Sequence, residues 1–411
     1  MPPVILSVSA LLLGTALLLL GSGLYGTLLV LRAGQEGFSP AVIGVVMAAY
    51  YLGFLFGCLQ CPRVIATVGH IRTYAALTAV ASVASLGHVI QVDAVTWGVL
   101  RAIIGFCFAG LYMTIESWLN EKSTQETRGR IFAVYMMVNL GALGLGQLLL
   151  LTADAKSFVL FVVTSMLISI AAVPISLASS TPPTIGPSAP LRLMQLWRIS
   201  PLALVACAGV GLSQGAFWSL TPVFTTDVGL GENGTALFMM FSIFGGLVLQ
   251  LPVGWLSDRR DRRSVISCVC MLAAILGAAV AFVADRDWAI ALFVIGALYG
   301  GFSMTVYSLA VSHANDHTDA TGIVSLSARL LLVYAIGAVI GPLVAGWLME
   351  ISSAAALYWF VAAVYLIVAA FGIWRQTRRA PVPVEDQTPF VLLSRAGMIA
   401  GELDPRYDQS D

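Results

Sequence analysis

The sequence predicts an all-α membrane protein with twelve transmembrane helices in two pseudo-symmetric six-helix bundles. Three observations predict it: too little charge to face water, apolar runs of membrane-spanning length, and an internal repeat that halves the chain. Apolar residues make up 59% of the 411 residues and charged residues 10%, whereas a soluble domain has about 45–50% and about 25%. The apolar residues fall into runs such as 4–31 and 158–177. A run of about 20 apolar residues crosses the hydrocarbon layer as a helix. The roughly ten-residue alternating segments of a transmembrane β-barrel do not occur.

Polar, Gly and Pro punctuation divides the chain into twelve runs: 4–31, 40–66, 72–92, 95–119, 129–152, 157–178, 199–226, 234–257, 264–284, 288–311, 322–349 and 353–374. The first has no basic segment before it and is too long for a signal-peptide core, so it reads as an uncleaved span. Residues 179–198 are Pro- and Ser-rich, the composition of an aqueous linker. The expected organisation is a bundle over 1–178, a cytoplasmic linker over 179–198, a bundle over 199–374 and a cytoplasmic tail over 375–411. Twelve spans put both termini on one side. The loops and tail of that side carry sixteen Lys and Arg residues against three, Arg32, Lys156 and Arg286, on the other. Basic loops stay cytoplasmic, which predicts cytoplasmic termini in a bacterial-type inner membrane. Arg101 and Arg329 are the two basic residues left inside spans.

The repeat rests on three matches at nearly one offset. Gly110-Leu-Tyr-Met-Thr-Ile-Glu-Ser117 matches Gly301-Phe-Ser-Met-Thr-Val-Tyr-Ser308, Gln60-Cys-Pro62 matches Gln250-Leu-Pro252, and Gly23-Leu-Tyr-Gly-Thr-Leu28 matches Gly215-Ala-Phe-Trp-Ser-Leu220. The offsets are 191, 190 and 192. Such duplications put a substrate site at the repeat interface near the bilayer midplane.

Composition also excludes several function classes. The formal net charge is zero, so no global field attracts nucleic acid. No nucleotide-binding P-loop occurs, which argues against ATP hydrolysis as the energy source and leaves ion-gradient coupling or facilitated diffusion. The six cysteines all lie in or at the ends of apolar runs, a poor setting for disulfides. Cys58 and Cys61 have metal-like spacing but no second ligand pair, and they read as small apolar filler. No cofactor or metal centre is expected, and no catalytic constellation is visible.

The turn after the eighth run reads Gly254-Trp-Leu-Ser-Asp258-Arg259-Arg-Asp-Arg262-Arg263. It resembles the G-x-x-x-D-R-x-G-R-R signature of the major facilitator superfamily, with Asp261 in place of the last Gly. In the first half the signature's Gly and Asp positions are Val64 and Val68, while Arg63, His70 and Arg72 remain. Arg101-x-x-x-Gly105 resembles the superfamily's fourth-span Arg motif, and Gly337, Gly341-Pro342 and Gly346 resemble its Gly-Pro hinges. Cys61-Pro-Arg63, Gly69-His-Ile-Arg72, Glu116-Ser-Trp-Leu-Asn120, Arg128-Gly-Arg130 and His313-Ala-Asn-Asp316 together resemble its YcaD-like branch. The resemblance covers residues 4–375. It implies the major facilitator fold and a cavity lined by the first, fourth, seventh and tenth spans.

Arg101, Gly105, Phe108, Tyr112 and Glu116 follow helical spacing and share one face. A charge inside a span faces a cavity or a partner, so Arg101 is read either as an anion site or as a structural Arg bonded to neighbouring helices. Tyr25, Tyr112, Gln214, Trp218 and Tyr299 are the further pathway candidates, with Asn139 and Gln147 as second choices. The gating candidates are Glu116 with Arg63 and Arg72, Asp258 with Arg128 and Arg130, then Arg259, Arg262 and Arg329. Glu116 replaces the missing loop Asp in this reading, and proton carriage is its alternative. Tyr307 aligns with Glu116 in the repeat. His313, Asp316 and His317 read as solvated groups of a loop. The tail stretch 390–400 reads as a membrane-surface or partner-binding segment.

The function expected is secondary active transport of a small organic solute, anionic if Arg101 binds it, coupled to a proton or sodium gradient. The protein is expected to work as a monomer in the lipid bilayer, without nucleic acid. The alternative is a membrane sensor or assembly protein that retains the transporter fold; a cavity plugged by side chains would favour it.

Overall fold

The computed structural model describes residues 3–123, 125–177, 193–284, 286, 288–318, 322–378 and 381–391, and for 3–7, 125, 126, 128 and 193–195 the backbone only. Among the described residues, twelve helices are long and apolar enough to cross a membrane. They are α1 (Pro3–Gln35), α2 (Pro40–Val68), α3 (His70–Ile90), α4 (Ala94–Glu121), α5 (Gln125–Gln147) and α6 (Val159–Ile170, whose span runs on to Ser176), then α7 (Pro201–Asp227), α8 (Gly231–Ser257), α9 (Arg262–Val283), α10 (Ala289–Asn315), α11 (Ile323–Ile351) and α12 (Ala356–Gln376). A 3₁₀ turn, Leu148–Thr152, extends α5, and a short helix, Ala172–Ser176, continues α6. Pro174 lies just past that break; it offers no N–H to the carbonyl of Ile170. The linker at 179–198 lies mostly outside the described residues, apart from the short helix Leu193–Ile199.

Local chemistry sets several helix starts. Ser39 and Ser200 cap α2 and α7 through the amides of Val42 and Ala203, each followed by Pro at the first helical position. There the missing N–H costs nothing and φ is preset. Asp93 caps α4 and Asp261 caps α9.

The duplication is visible in how the helices cross. In the first bundle α2 packs on α4 and α1 on α5; in the second, α8 packs on α10 and α7 on α11. Glycines make the close approaches. A side chain at Gly53 would strike the carbonyl of Ala102, and one at Gly245 would strike that of Ala297. Gly105 meets the Tyr50 carbonyl and Gly300 that of Ser242, while Gly23 meets Leu143 and Gly215 meets Ala338. Small residues at such crossings let backbones approach and pack without a hydrophobic driving force. The crossings pair Gly105 with Gly300, an offset of 195 where the sequence match gives 191. The difference is one helical turn, so Glu116 corresponds in space to Val311 rather than to Tyr307.

The bundles meet through α2 with α11 and α5 with α8. These contacts lie on the face away from the chain's ends, called here the opposite face. Gly44 packs on the Pro342 carbonyl and Gly346 on that of Pro40. Glu350 accepts hydrogen bonds from the Ser39 hydroxyl at 2.8 Å and the Ala41 amide at 3.1 Å. Glu232 accepts from the Gln35 amide and, at 3.1 Å, from the Ala155 backbone. Two carboxylates of the second half thus clasp two chain segments of the first.

Candidate functional site: a central cavity

Behind that clasp, between the halves, lies a cavity of about 210 Å³. It is lined by α1, α2, α4 and α5 on one side and by residues of α7, α8, α10 and α11 on the other. At the helical rise, Arg101 is about 10 Å, and Tyr112 about 27 Å, from the opposite-face end of α4. Both line the cavity, which therefore runs toward the terminal face.

Arg101 is buried, at 5% exposure. Its guanidinium carbon lies 4.5 Å from the Tyr50 ring centre and 5.6 Å from that of Tyr25. The Gly53 and Gly105 crossing sets α2 against α4 here and brings Tyr50 onto Arg101. Tyr25 is held from behind: its hydroxyl lies 3.2 Å from His88 Nδ1, which is itself 2.9 Å from the Ala84 carbonyl. Gln147 fixes the neighbouring wall by accepting from Thr27 and donating to the Gly23 carbonyl, both at 2.8 Å. Arg101 Nε has no hydrogen-bond partner, and among the described residues no carboxylate forms an ion pair with Arg101. Ring stacking of about 0.5–2 kcal/mol falls short of the several kcal/mol needed to desolvate a charge. The arrangement is a fixed cation, flanked by aromatic faces, with room for a counter-charge.

Of the expected pathway residues, Arg101, Tyr25, Tyr112 and Trp218 line the cavity, as do Asn139 and Gln147. Gln214 and Tyr299 do not. Gln214 is buried and donates to the Ser303 hydroxyl at 3.1 Å, joining α7 to α10. Tyr299 sits in an aromatic cluster with Phe217, Tyr358 and Tyr365. Their spans border the cavity, but the helical phase turns these side chains into the second bundle. Conversely, Tyr50, Tyr51 and Phe54 of α2 and Tyr334 of α11 line the cavity although their spans were not expected to. Two adjacent tyrosines inside an apolar run are the available signal, since a phenol needs a polar neighbour there.

The expected gating residues are arranged differently from the sequence reading. Glu116 is fully buried and accepts from the Tyr135 hydroxyl at 3.3 Å, whereas Arg63 and Arg72 are exposed and neither pairs with it. Its position on α4 drifts off the Arg101 face because 3.6 residues per turn do not divide the spacing evenly. Asp258 does not reach α5; it accepts from Arg262 at 3.0 Å and from the Phe390 amide at 2.7 Å. Arg130 is exposed, and the Arg128 side chain lies outside the described residues. Arg259 stacks on Trp255 at 4.0 Å, and Arg329 is half-buried. Asp316 is the largest correction: its side chain is 1% exposed and grips Arg262 with both oxygens at 2.7 Å. Of the loop that sequence suggests there, His313 belongs to the last turn of α10 and Asp316 is the residue that caps its end. Cys58 and Cys61 are buried and unbridged.

Twelve membrane-spanning helices in two bundles around a central cavity are the architecture of a membrane transporter. The chain belongs to the Major Facilitator Superfamily, whose family model matches residues 11–335. It is 29% identical over 376 residues to an uncharacterized MFS-type transporter, Ent638_1421, of Enterobacter sp. (strain 638), covering 91% of this chain and 97% of that protein. It is also 29% identical over 379 residues to the uncharacterized MFS-type transporter YcaD of Escherichia coli O17:K52:H18 (strain UMN026 / ExPEC), covering 92% and 97%. Among solved structures the fold resembles the nucleoside transporter NupG, with a TM-score of 0.70 at 12% identity over 91% of this chain and 99% of that one. It also resembles a bacterial homolog of the human lysosomal transporter Spinster in an inward-facing, unoccupied conformation, with a TM-score of 0.66 at 14% identity over the whole of both chains.

Proposed function

We propose that this protein is a secondary active transporter of a small organic solute that carries an anionic group, with Arg101 as the anion site. The observation that carries the reading is the buried Arg101 in the central cavity, with no carboxylate among the described residues paired to it. A buried charge demands a counter-charge, and a guanidinium takes a carboxylate or phosphate in a two-point grip. Tyr25, Tyr50, Phe108 and Trp218 give the solute's body apolar faces, and Asn139, Gln147 and Gln250 offer amide hydrogen bonds. The open cavity supports transport over a sensor role. The sixteen-to-three bias in basic residues supports termini in the cytoplasm of a bacterial inner membrane, so this conformation faces inward. Alternating access follows if the clasp at Glu232 and Glu350 opens while the terminal face closes. A proton or sodium gradient is the driving force in this reading.

Uptake and efflux in proteoliposomes, screened over small carboxylates and phosphates with neutral analogues as controls, test it. Anionic members should move and neutral analogues should not. Losing hydrogen bonds to a charged group costs about 1.5–3 kcal/mol, so Arg101→Ala should raise the apparent KM at least tenfold and Arg101→Lys less. Full activity of Arg101→Ala on every solute found would remove the anion site. A screen in which nothing moves would sink transport in favour of a sensor.

A further inference from the structure

On the terminal face, the second half holds a strap made of the chain's own tail. Beyond α12 the backbone turns back, and residues 388–391, Thr-Pro-Phe-Val, lie on the turn between α8 and α9. The attachment is dense and ionic. Arg262, 1% exposed, donates to Ser257 at 2.9 Å, to the Ser312 carbonyl at 3.2 Å, to both Asp316 oxygens and to Asp258. The Nη2 nitrogen that serves Asp258 also donates to the Thr388 carbonyl at 2.7 Å. Asp316 accepts from the Thr388 amide at 3.0 Å and from its hydroxyl. Asp258 accepts from the Phe390 amide at 2.7 Å. The strap's backbone is therefore read on both edges by the charged groups of the turn. Hydrogen bonds to charged groups are the strong kind, about 1.5–3 kcal/mol each.

Phe390 fills the space over Gly254, and a side chain at Gly254 would strike its ring. The face of α8 that it covers is informative. Ile243 packs against Gly144 of α5, Gln250 lines the cavity, and Gly254 follows one turn later. Those positions share one helix face. The α8 face that meets α5 at the opposite end is thus covered by the strap at the terminal end.

We infer that residues 388–391 are a self-ligand that holds the protein open to the terminal face by occupying the α8 surface that α5 must reach when that face closes. The inference rests on the alternating-access reading above. If the bundles rock about α5 and α8, the start of α5 near Gly129 swings toward Gly254 and Asp258. Phe390 stands in that space, and the amide of Phe390 uses the Asp258 carboxylate. Closure requires the strap to leave, so the tail sets how often the protein turns over.

Pulsed electron spin distance measurements on the full chain test this, with the six native cysteines replaced. One label pair, Gly129→Cys with Arg259→Cys, spans the terminal face; a second, Glu36→Cys with Ser352→Cys, spans the opposite face. Ending the chain at Gln387 should add a short-distance population to the first pair and a long-distance one to the second. Phe390→Ala in the full chain should do the same in smaller measure, and it guards against a truncation that merely misfolds. Unchanged distributions in both variants overturn the strap. Shortening of the first pair while the second stays fixed keeps the strap and counts against alternating access.

Discussion

The first half of the molecule supplies the cavity, and the second half supplies the ionic anchor on the terminal face. All but five cavity-lining residues come from α1, α2, α4 and α5, and the five are Trp218, Gln250, Met304, Tyr334 and Ala335. The position that the helix crossings equate with Arg101 is Gly296, where a side chain would meet Phe238. In return, among the described residues no ion pair of the first half matches that of Arg262 with Asp316; Val64 and Val68 replace the signature's Gly and Asp, and both are exposed. The duplicated backbone kept its glycine crossings and divided its chemistry. Packing needs symmetry only where helices touch, whereas the side chains facing the cavity are free of that need.

The sharpest way to break this comparison is to remove the anchor. Arg262 and Asp316 are both 1% exposed and face each other at 2.7 Å. Removing one partner of a buried pair leaves an uncompensated charge and costs about 3–5 kcal/mol. Arg262→Ala or Asp316→Ala should lower the thermal midpoint in detergent by many degrees and free the tail to proteolysis. In the first half, Arg72→Ala at the position matching Arg262, and Arg63→Ala beside it, remove exposed side chains and should leave the midpoint nearly unchanged. Equal losses from both sets would mean that the halves share the load on this face.

A second, smaller effect tests what the halves retain in common. Gly105→Ala and Gly300→Ala each drive a methyl group into a carbonyl of the partner helix. Overpacking of this kind costs about 1–3 kcal/mol. Both should lower the thermal midpoint by similar amounts. Only Gly105→Ala should also weaken solute binding, because the α2–α4 crossing positions Tyr50 on Arg101. Loss of binding in both variants would show that the second bundle shapes the site as much as the first.

How far the sequence reveals these features depends on what each residue contacts. The twelve spans are legible because composition and length decide membrane insertion residue by residue. The repeat is legible at Gly23 and Gly215 because only glycine permits those approaches. Arg101 is legible because a charge in a span is costly enough to need a reason. Gln214 and Tyr299 mislead because the right span does not fix the side chain's direction, which a modest rotation of the helix reverses. Asp316 misleads because a carboxylate in what reads as a short loop gives no sign that an arginine 54 positions earlier closes over it. The strap is invisible in sequence because it is held largely through backbone amides and carbonyls, which every residue has.

The smallest effect concerns a cap that only one half has. Asp93 accepts from the amides of Val95 and Thr96 at 3.0 and 2.9 Å at the start of α4, while α10 begins after Trp288 without a side-chain cap. The Thr96 hydroxyl and amide hold the Asp93 carboxyl below the usual carboxylate range. Its folded pKa therefore lies below its unfolded one. The cap's contribution is fully present above the unfolded value and fades as pH falls through the folded one. Asp93→Ala should lower the thermal midpoint slightly at neutral pH and remove that small acid-side loss. Asp93→Asn should keep most of the cap, since Asn accepts the same amides, and should also lose the pH dependence. If Asp93→Ala changes nothing at neutral pH, the α4 cap is as dispensable as the missing one on α10, and the halves do not differ at this end.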